Sequence, residues 1–182
     1  GTSGWGLTGN AGTAAGTNFI GTTDNTALDV RVNNSLFARF GTSYNLSMGI
    51  GSTASGYLST AIGVNLTANG PSSFAIGANN TASGDYSFAN GQNNVASGLY
   101  SFAAGENNKS KSKHSFSVGR SNDTTDILND TIRLFSIGNG LVNSLYRSNI
   151  FTATINGVGI NTTTPDSTLT VVNGIKQVNN YY

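Results

Sequence analysis

Small and apolar residues recur along the middle of the chain with a period of fourteen residues. Glycine follows this period in two series half a period apart: Gly49, Gly63, Gly77, Gly91, Gly105 and Gly119, and Gly56, Gly70, Gly84 and Gly98, with Ser112 in the fifth place of the second series. A fixed period of this kind indicates stacked, identical units. Fourteen residues suffice for two short strands and two turns, which predicts a narrow two-sided β-roll with coils about 4.8 Å apart.

Strand alternation assigns the residues of each coil to an inner and an outer side, since successive side chains point in opposite directions. In the first strand of a coil, Ala75 and Gly77 share one side, and in the second strand Ala82 and Gly84 do the same. We expect these small residues to face each other inside the roll. Two sheets joined by such tight turns lie too close together for larger side chains.

The outer side of the first strand carries an apolar stripe. Its members are Leu46, Met48, Ile62, Phe74, Ile76, Phe88, Phe102, Phe116 and Val118, with Asn90 as a polar member. A monomer would expose this stripe, and exposed apolar patches mark interfaces. Closed cyclic assembly buries a self-complementary surface, so the stripe predicts a homotrimer. The alternative, a monomeric roll with its phenylalanines inside, conflicts with the alanines and glycines on the opposite side.

The residues predicted at the trimer interface are Met48, Ile62, Phe74, Ile76, Phe88, Asn90, Phe102, Phe116 and Val118. Three copies of Asn90 on an axis could hold an ion or water, or fix the register as buried polar residues do in coiled coils. Of these roles, we favour the register.

Charge and composition exclude several classes of partner. Only 9% of the 182 residues are charged and the net charge is +1, so no overall field attracts nucleic acid. No run of eighteen apolar residues occurs, so we expect no membrane insertion. Cysteine is absent, which excludes disulfides and thiolate metal sites. The chain begins Gly1-Thr2 without methionine or a signal peptide, so we expect it to be a piece of a longer protein.

The residues offer little for catalysis, and we expect no enzyme activity, metal or cofactor. His114, the one histidine, occupies the repeat position of Tyr86 and Tyr100, so we interpret it as the next rung of a side-chain ladder rather than a catalytic or metal-binding group. The one cluster of acids is Asp123, Asp126 and Asp130. A glycosidase needs a carboxylate pair across a bond, but acids near the end of a roll more often form turns and caps.

Two groups of residues form a candidate ligand face. Lys109, Lys111 and Lys113 follow each other at two-residue spacing and are expected to face solvent together, where they could hold phosphate, sulfate or carboxylate groups of a glycan. Tyr86 and Tyr100 could stack on sugar rings. The alternatives are a solubilising cap for the lysines and a ladder that shields the edge of the roll for the tyrosines.

The repeat resembles the YadA-like head of trimeric autotransporter adhesins, in which units of the kind SxAxGxxxxAxG build a left-handed parallel β-roll that trimerises. The segments SFAIGANNTASGDY and SFANGQNNVASGLY fit this pattern closely, and STAIGVNLTANGPS fits it with Asn69 in place of serine. The resemblance covers residues 45–120. The segment HSFSVG, residues 114–119, looks like the last coil of such a head.

The flanking segments predict further β structure. In residues 28–32, apolar and polar residues alternate as in a half-buried strand, and Asn33-Asn34-Ser35 predicts a turn before a second strand at residues 36–40. Asn-Gly pairs at positions 139, 156 and 173 predict hairpin-type turns. Residues 5–34 resemble modules of bacterial surface proteins and phage tail fibres, and residues 157–174 resemble the VGIGTxxPxxxLxVxG segment of such fibres.

Together these features predict an all-β protein: a left-handed parallel β-roll of fourteen-residue coils at residues 45–122, flanked by small β-rich modules at residues 1–44 and 123–182, in a homotrimeric fibre. We interpret it as a structural and attachment segment, in a phage tail or head fibre that adheres to a host cell surface. Its partners would be a host glycan or receptor and other virion proteins. A bacterial cell-surface adhesin head is the alternative, followed by an ice-binding β-solenoid and a glycan-cleaving tail spike.

Overall fold

All regular structure in the described part of the chain is β. The computed structural model describes residues 4–122, 133–139, 149–154, 157–161 and 169–171. Its strands are β1 Leu28–Val32, β2 Ser35–Phe40, β3 Leu46–Met48, β4 Thr53–Ala54, β5 Thr60–Val64, β6 Thr67–Ala68, β7 Phe74–Ala78, β8 Thr81–Ala82, β9 Phe88–Gln92, β10 Val95–Ala96, β11 Phe102–Glu106, β12 Lys109–Ser110, β13 Phe116–Arg120, β14 Arg133–Asn139, β15 Asn149–Thr154, β16 Gly157–Ile160 and β17 Leu169–Val171.

The strands form two sheets that alternate along the chain, as the repeat predicts. The main sheet has twelve strands in the order β1-β2-β3-β5-β7-β9-β11-β13-β14-β15-β16-β17, and the minor sheet has five in the order β12-β10-β8-β6-β4. Within the roll, neighbours in each sheet are parallel and pair residues fourteen apart, as Phe74 with Phe88 and Thr67 with Thr81. The predicted β-roll with fourteen-residue coils is therefore confirmed.

Left-handed residues mark the corners of the roll at every seventh position. They are Tyr44, Gly51, Leu58, Asn65, Ser72, Asn79, Tyr86, Asn93, Tyr100, Asn107, His114 and Ser121. A left-handed conformation is uncommon for residues other than glycine. Here the corners are joined between coils, since Tyr100 N donates to Asp85 O at 2.9 Å and Asn93 N donates to Ala78 O at 3.0 Å. Inter-coil hydrogen bonding therefore continues through the turns.

The interior of the roll holds small side chains, as predicted. Ala61, Ala68, Ala75, Ala82, Ala89, Ala96 and Ala103 are each 0% exposed. The glycines are required by contact between coils: Gly91 has a φ of 105°, and a Cβ there would collide with the carbonyl oxygen of Gly105. Serine side chains span the gap between the sheets, since Ser52 Oγ donates to Gly63 O at 2.9 Å and Ser47 Oγ accepts from Ala54 N at 2.8 Å. The two sheets are thus one short side chain apart.

A column of buried asparagines runs beside the alanines. It comprises Asn80, Asn94, Asn108 and Asn122, each 0% exposed. Asn94 Nδ2 donates to Asn90 O and Gly105 O, both at 2.7 Å, and Asn94 Oδ1 accepts from Asn108 N at 2.9 Å. Asn-Asn pairs such as Asn79-Asn80 and Asn93-Asn94 are typical of turns. Asn79 and Asn93 do form the corners, but the next asparagine in each coil points inward and bonds to the adjacent coil.

The N-terminal flank ends the main sheet with antiparallel strands. Strands β1 and β2 form the predicted hairpin, whose turn residues Asn33 and Asn34 have φ values of 48° and 59°. The prediction of a half-buried β1 agrees with Leu28, which is half-buried, whereas Val30 and Val32 are 42% and 63% exposed. Val30 lies on the outer side of the main sheet, in the aliphatic half of that side.

The C-terminal flank continues the same sheet. Strand β14 pairs with β13 in parallel, with Phe116 opposite Phe135 and Gly119 opposite Gly138. Strands β14, β15 and β16 are then antiparallel, and β17 is parallel to β16. The main sheet continues across both predicted domain boundaries, at residues 44/45 and 122/123. The division of the chain into three domains therefore stays a prediction. The predicted Asn-Gly turns fall wholly or partly outside the described residues.

Candidate functional site

Two rows of side chains run along the outer side of the main sheet across all twelve strands; together they are called the outer face. The first, the phenylalanine row, contains Leu28, Phe40, Leu46, Thr60, Phe74, Phe88, Phe102, Phe116, Phe135, Ala153, Val158 and Leu169. The second, the aliphatic row, contains Val30, Ala38, Met48, Ile62, Ile76, Asn90, Ala104, Val118, Ile137, Phe151, Ile160 and Val171. All nine predicted interface residues lie in these rows.

The phenylalanine rings are stacked along the row. Centroid distances are 5.3 Å for Phe74 and Phe88, 5.0 Å for Phe88 and Phe102, and 4.6 Å for Phe102 and Phe116, with planes within 8° of parallel. Phe135 continues the stack at 5.5 Å from Phe116. The rings are half-buried or exposed while the alanines opposite are fully buried. The alternative of inward-pointing phenylalanines is therefore wrong.

Asn90 interrupts the aliphatic row between Ile76 and Ala104. The residue is exposed, and within the described part of the chain its side-chain amide makes no hydrogen bond. Its backbone carbonyl is held by Asn94 Nδ2 at 2.7 Å. The position of this residue in the sheet is thus determined from the interior, while its amide faces outward.

A second aromatic column stands at the corner of the roll. Tyr86 and Tyr100 stack with centroids 4.9 Å apart, and His114 stacks on Tyr100 at 5.2 Å. This confirms His114 as the next rung of the ladder. Both faces of the Tyr100 ring are occupied by its neighbours, so a sugar cannot stack on it in this arrangement. The column presents the edges of its rings to solvent.

The three lysines lie at the last described coil of the minor sheet. Lys109 is half-buried on β12, and Lys111 and Lys113 are exposed. The expectation that the lysines face solvent agrees with the exposure of Lys111 and Lys113, which both lie beyond the end of β12 at Ser110, whereas Lys109 is only partly exposed. The row that ends at Lys109 begins with Thr53, Thr67 and Thr81, followed by Val95.

An ion-paired cluster lies at the N-terminal hairpin. Arg39 Nε and Nη2 donate to the two oxygens of Asp29 at 2.7 and 2.9 Å, and Arg31 Nη2 lies 3.4 Å from Asp29 Oδ2. The hydrogen bond from Arg39 lowers the pKa of Asp29 below its ordinary value of 3.8. The pKa of Arg39 is raised by the same contact.

The described residues contain no group of three or more histidines, cysteines or acids that could hold a metal ion. Asp123, Asp126 and Asp130 lie outside the described residues, so their predicted role in turns and caps stays a prediction. Within the described ranges, no helix has the length and apolar character needed to cross a membrane.

Sequence reasoning missed a cleft at the N-terminal end of the outer face. It has a volume of about 700 Å³ and lies between residues 20–26 and the side chains of Leu28, Val30, Phe40 and Tyr44. The signal in the sequence was weak, because residues 4–27 form turns and irregular structure without strand alternation. The continuation of the outer face through Phe135 and Ile137 was also missed, although the segment LFSIG repeats the pattern of SFSVG.

Comparison with known proteins finds a match for part of the roll. A family model described as YadA head domain repeat matches two copies, at residues 46–65 and 68–94. No curated protein and no solved structure matches the chain significantly. The matched residues contain β5, β7 and β9, whose pairing carries the fourteen-residue register. Residues 46–65 and 68–94 are therefore similar to YadA head domain repeats.

Proposed function

We propose that this chain is an attachment segment of a homotrimeric fibre, in which three outer faces pack around a common axis. The observation that carries the proposal is the outer face itself. It extends over twelve strands, and apart from Thr60 and Asn90 its members are apolar. Contiguous exposed apolar surface of this kind marks an interaction site in soluble proteins.

The geometry of the outer face favours copies of the same chain as its partner. The stacked phenylalanines repeat at the spacing of the coils, so an identical neighbouring chain offers a row of the same period. YadA-type heads form trimers, which supports three copies rather than two. In a closed cyclic assembly every chain buries the same surface.

We place the fibre outside the cell, and the two candidate settings are a virion and a bacterial surface. The resemblance of residues 5–34 and 157–174 to phage fibre segments favours a phage tail or head fibre that adheres to a host cell. The head repeats are shared with bacterial adhesins, which form the alternative. In either setting we assign the chain a structural and binding role, and turnover of a polysaccharide by it would contradict that assignment.

The first prediction is the loss of assembly when two stacked rings are removed. The unaltered chain should sediment at three times its mass of 18.7 kDa, and the Phe88→Ser/Phe102→Ser variant should be monomeric. Each phenylalanine lost from a packed core costs about 3–5 kcal/mol, so the trimer loses several times that amount. Sedimentation equilibrium measures the mass directly.

The matched control is Tyr86→Ser/Tyr100→Ser, which removes two stacked aromatic rings from the corner rather than from the outer face. This variant should remain trimeric. A monomeric unaltered chain would contradict the proposal, as would a control variant that dissociates as completely as the phenylalanine variant.

A further inference from the structure

The aliphatic row contains one polar side chain among its twelve. From Val30 to Val171 the row is otherwise made of valine, alanine, methionine, isoleucine and phenylalanine, and only Asn90 carries hydrogen-bonding groups. The Asn90 amide has no partner in the described part of its own chain. An isolated amide in a buried apolar interface is strongly unfavourable unless another group satisfies it.

From Phe74 to Phe135, the phenylalanine row specifies the axial alignment of neighbouring chains poorly. Phe74, Phe88, Phe102, Phe116 and Phe135 present the same ring at each successive rung. If one chain moved along another by one coil, these rings would again meet rings. The aliphatic row would likewise bring one apolar side chain against another, except at Asn90.

Asn90 breaks this equivalence. When three chains are aligned without a shift, their Asn90 amides lie in one layer, and each can donate from Nδ2 to Oδ1 of the next in a closed ring. A shift of one coil places Asn90 of one chain against Ile76 or Ala104 of another, and neither side chain can accept or donate a hydrogen bond. Shifted alignments therefore bury an unpaired amide.

We propose that Asn90 is the residue that sets the axial register of the three chains, through a ring of three side-chain amides. This inference rests on the homotrimer proposed above. It gives the polar residue a specificity role: the apolar rows supply the affinity between the chains, and Asn90 selects one alignment. The Asn90 carbonyl accepts a hydrogen bond from Asn94 Nδ2 inside the roll, as the carbonyls of Ile76 and Ala104 do from Asn80 and Asn108, so the backbone is held alike at all three rungs and only the side chain at position 90 differs.

The test is the symmetry of the trimer in solution, measured from amide signals of the ¹⁵N-labelled chain. An aligned trimer has three equivalent chains and gives one signal per amide, whereas shifted chains are inequivalent and give several. We expect one signal per amide for the unaltered chain. For Asn90→Ile, which restores an uninterrupted aliphatic row, we expect the mass of a trimer with several signals for amides of β7, β9 and β11.

A relocation variant separates register from mere packing. In Asn90→Ile/Ile76→Asn the polar layer moves by one rung, so the single set of signals should return. Ile76→Val is the matched control and should behave as the unaltered chain. A trimeric Asn90→Ile variant with one signal per amide would overturn the inference, as would a monomeric one, since Asn90 would then supply affinity. A monomeric unaltered chain overturns the trimer itself, and the register role with it.

Discussion

Asparagine has two different tasks in this roll, and the position within the coil decides which one it performs. At the corners, Asn79 and Asn93 adopt left-handed backbone conformations, which asparagine tolerates better than most residues. One position later, Asn80 and Asn94 are buried and bond to carbonyls of two coils. In the first full coil the buried position is occupied by Leu66, which is 1% exposed.

Exchanging these residues tests what the buried amides contribute. Asn94→Leu leaves Asn90 O, Gly105 O and Asn108 N without their side-chain partner, and each unsatisfied buried group costs about 1–3 kcal/mol. We expect a loss of at least about 3 kcal/mol in the free energy of unfolding, measured by urea denaturation at fixed protein concentration.

The reverse change, Leu66→Asn, is the control. It places an amide where the carbonyls of the next rung are already arranged to receive one, so the free energy of unfolding should change by only about 1 kcal/mol. Equal destabilisation by both variants would show that the buried column has no energetic role beyond filling space.

The inside and the outside of the roll could be predicted residue by residue, because alternation along a strand and the fourteen-residue period agree at every rung. The buried asparagines could not be assigned in this way, since Asn-Asn pairs are also typical of turns. A signal was nevertheless present. Leucine at position 66 occupies the asparagine position of the repeat, and a leucine at a fixed repeat position favours burial.

At the scale of the elements, the hairpin β1–β2 combines an apolar outer side with an ion pair on its inner side. Asp29 and Arg39 are opposite each other in the register that carries the interior alanines further along the sheet. There is no minor sheet opposite them in the described chain, because that sheet begins at β4. The charged pair therefore lies on the inner side of the main sheet at a place where no second sheet of the described chain covers it.

The Asp29–Arg39 contact predicts a pH dependence of the hairpin. The pKa of Asp29 is lower in the folded chain than its ordinary value of 3.8, so its contribution to stability is present above pH 3.8 and is lost as the pH falls through the folded value. Amide hydrogen exchange of β1 and β2 should be faster in Asp29→Asn than in the unaltered chain at pH 6. At pH values below the folded pKa, the difference should disappear.

A difference that persists unchanged at low pH would contradict this account, since the protonated carboxyl and the amide are then similar in charge. Arg31→Gln is a useful comparison. Its contact with Asp29 is longer, at 3.4 Å, and the effect should be smaller than that of Asp29→Asn.

The elements of the C-terminal flank show where prediction from the repeat ended. Ser117 and Ser136 are equivalent in the sheet but nineteen residues apart, whereas equivalent residues within the roll are fourteen apart. A search at constant period therefore stops before β14, although Phe135 stacks on Phe116 as the earlier rings do. The antiparallel order of β15 and β16 has no counterpart in the repeat and depends on contacts that alternation does not specify.

At the scale of the whole molecule, charge is concentrated at one end of the minor sheet. The outer side of the minor sheet consists mostly of threonine and serine, and at its β12 end it is followed by Lys109, Lys111 and Lys113. Three chains would bring nine such side chains to one level of the fibre. This end is where we expect contact with an anionic surface glycan.

Replacing all three lysines by glutamine should abolish retention on an immobilised sulfated polysaccharide. For the unaltered chain, retention should weaken steeply between about 0.05 and 0.5 M salt, because the contact is electrostatic and exposed charges are screened. The variant should keep the mass and the far-ultraviolet circular dichroism of the unaltered chain. Equal retention of the two chains would contradict a role for this segment in binding.

The contact of each glycine with the carbonyl of the next coil has a consequence for how such a protein can change length. Because Gly77 meets Gly91 as Gly91 meets Gly105, every coil presents the same upper and lower surface to its neighbours. A gene that gains or loses fourteen codons within the roll adds or removes one coil. The remaining coils then contact each other in the same way as before. The length of the roll is then adjustable in steps of about 4.8 Å at constant cross-section.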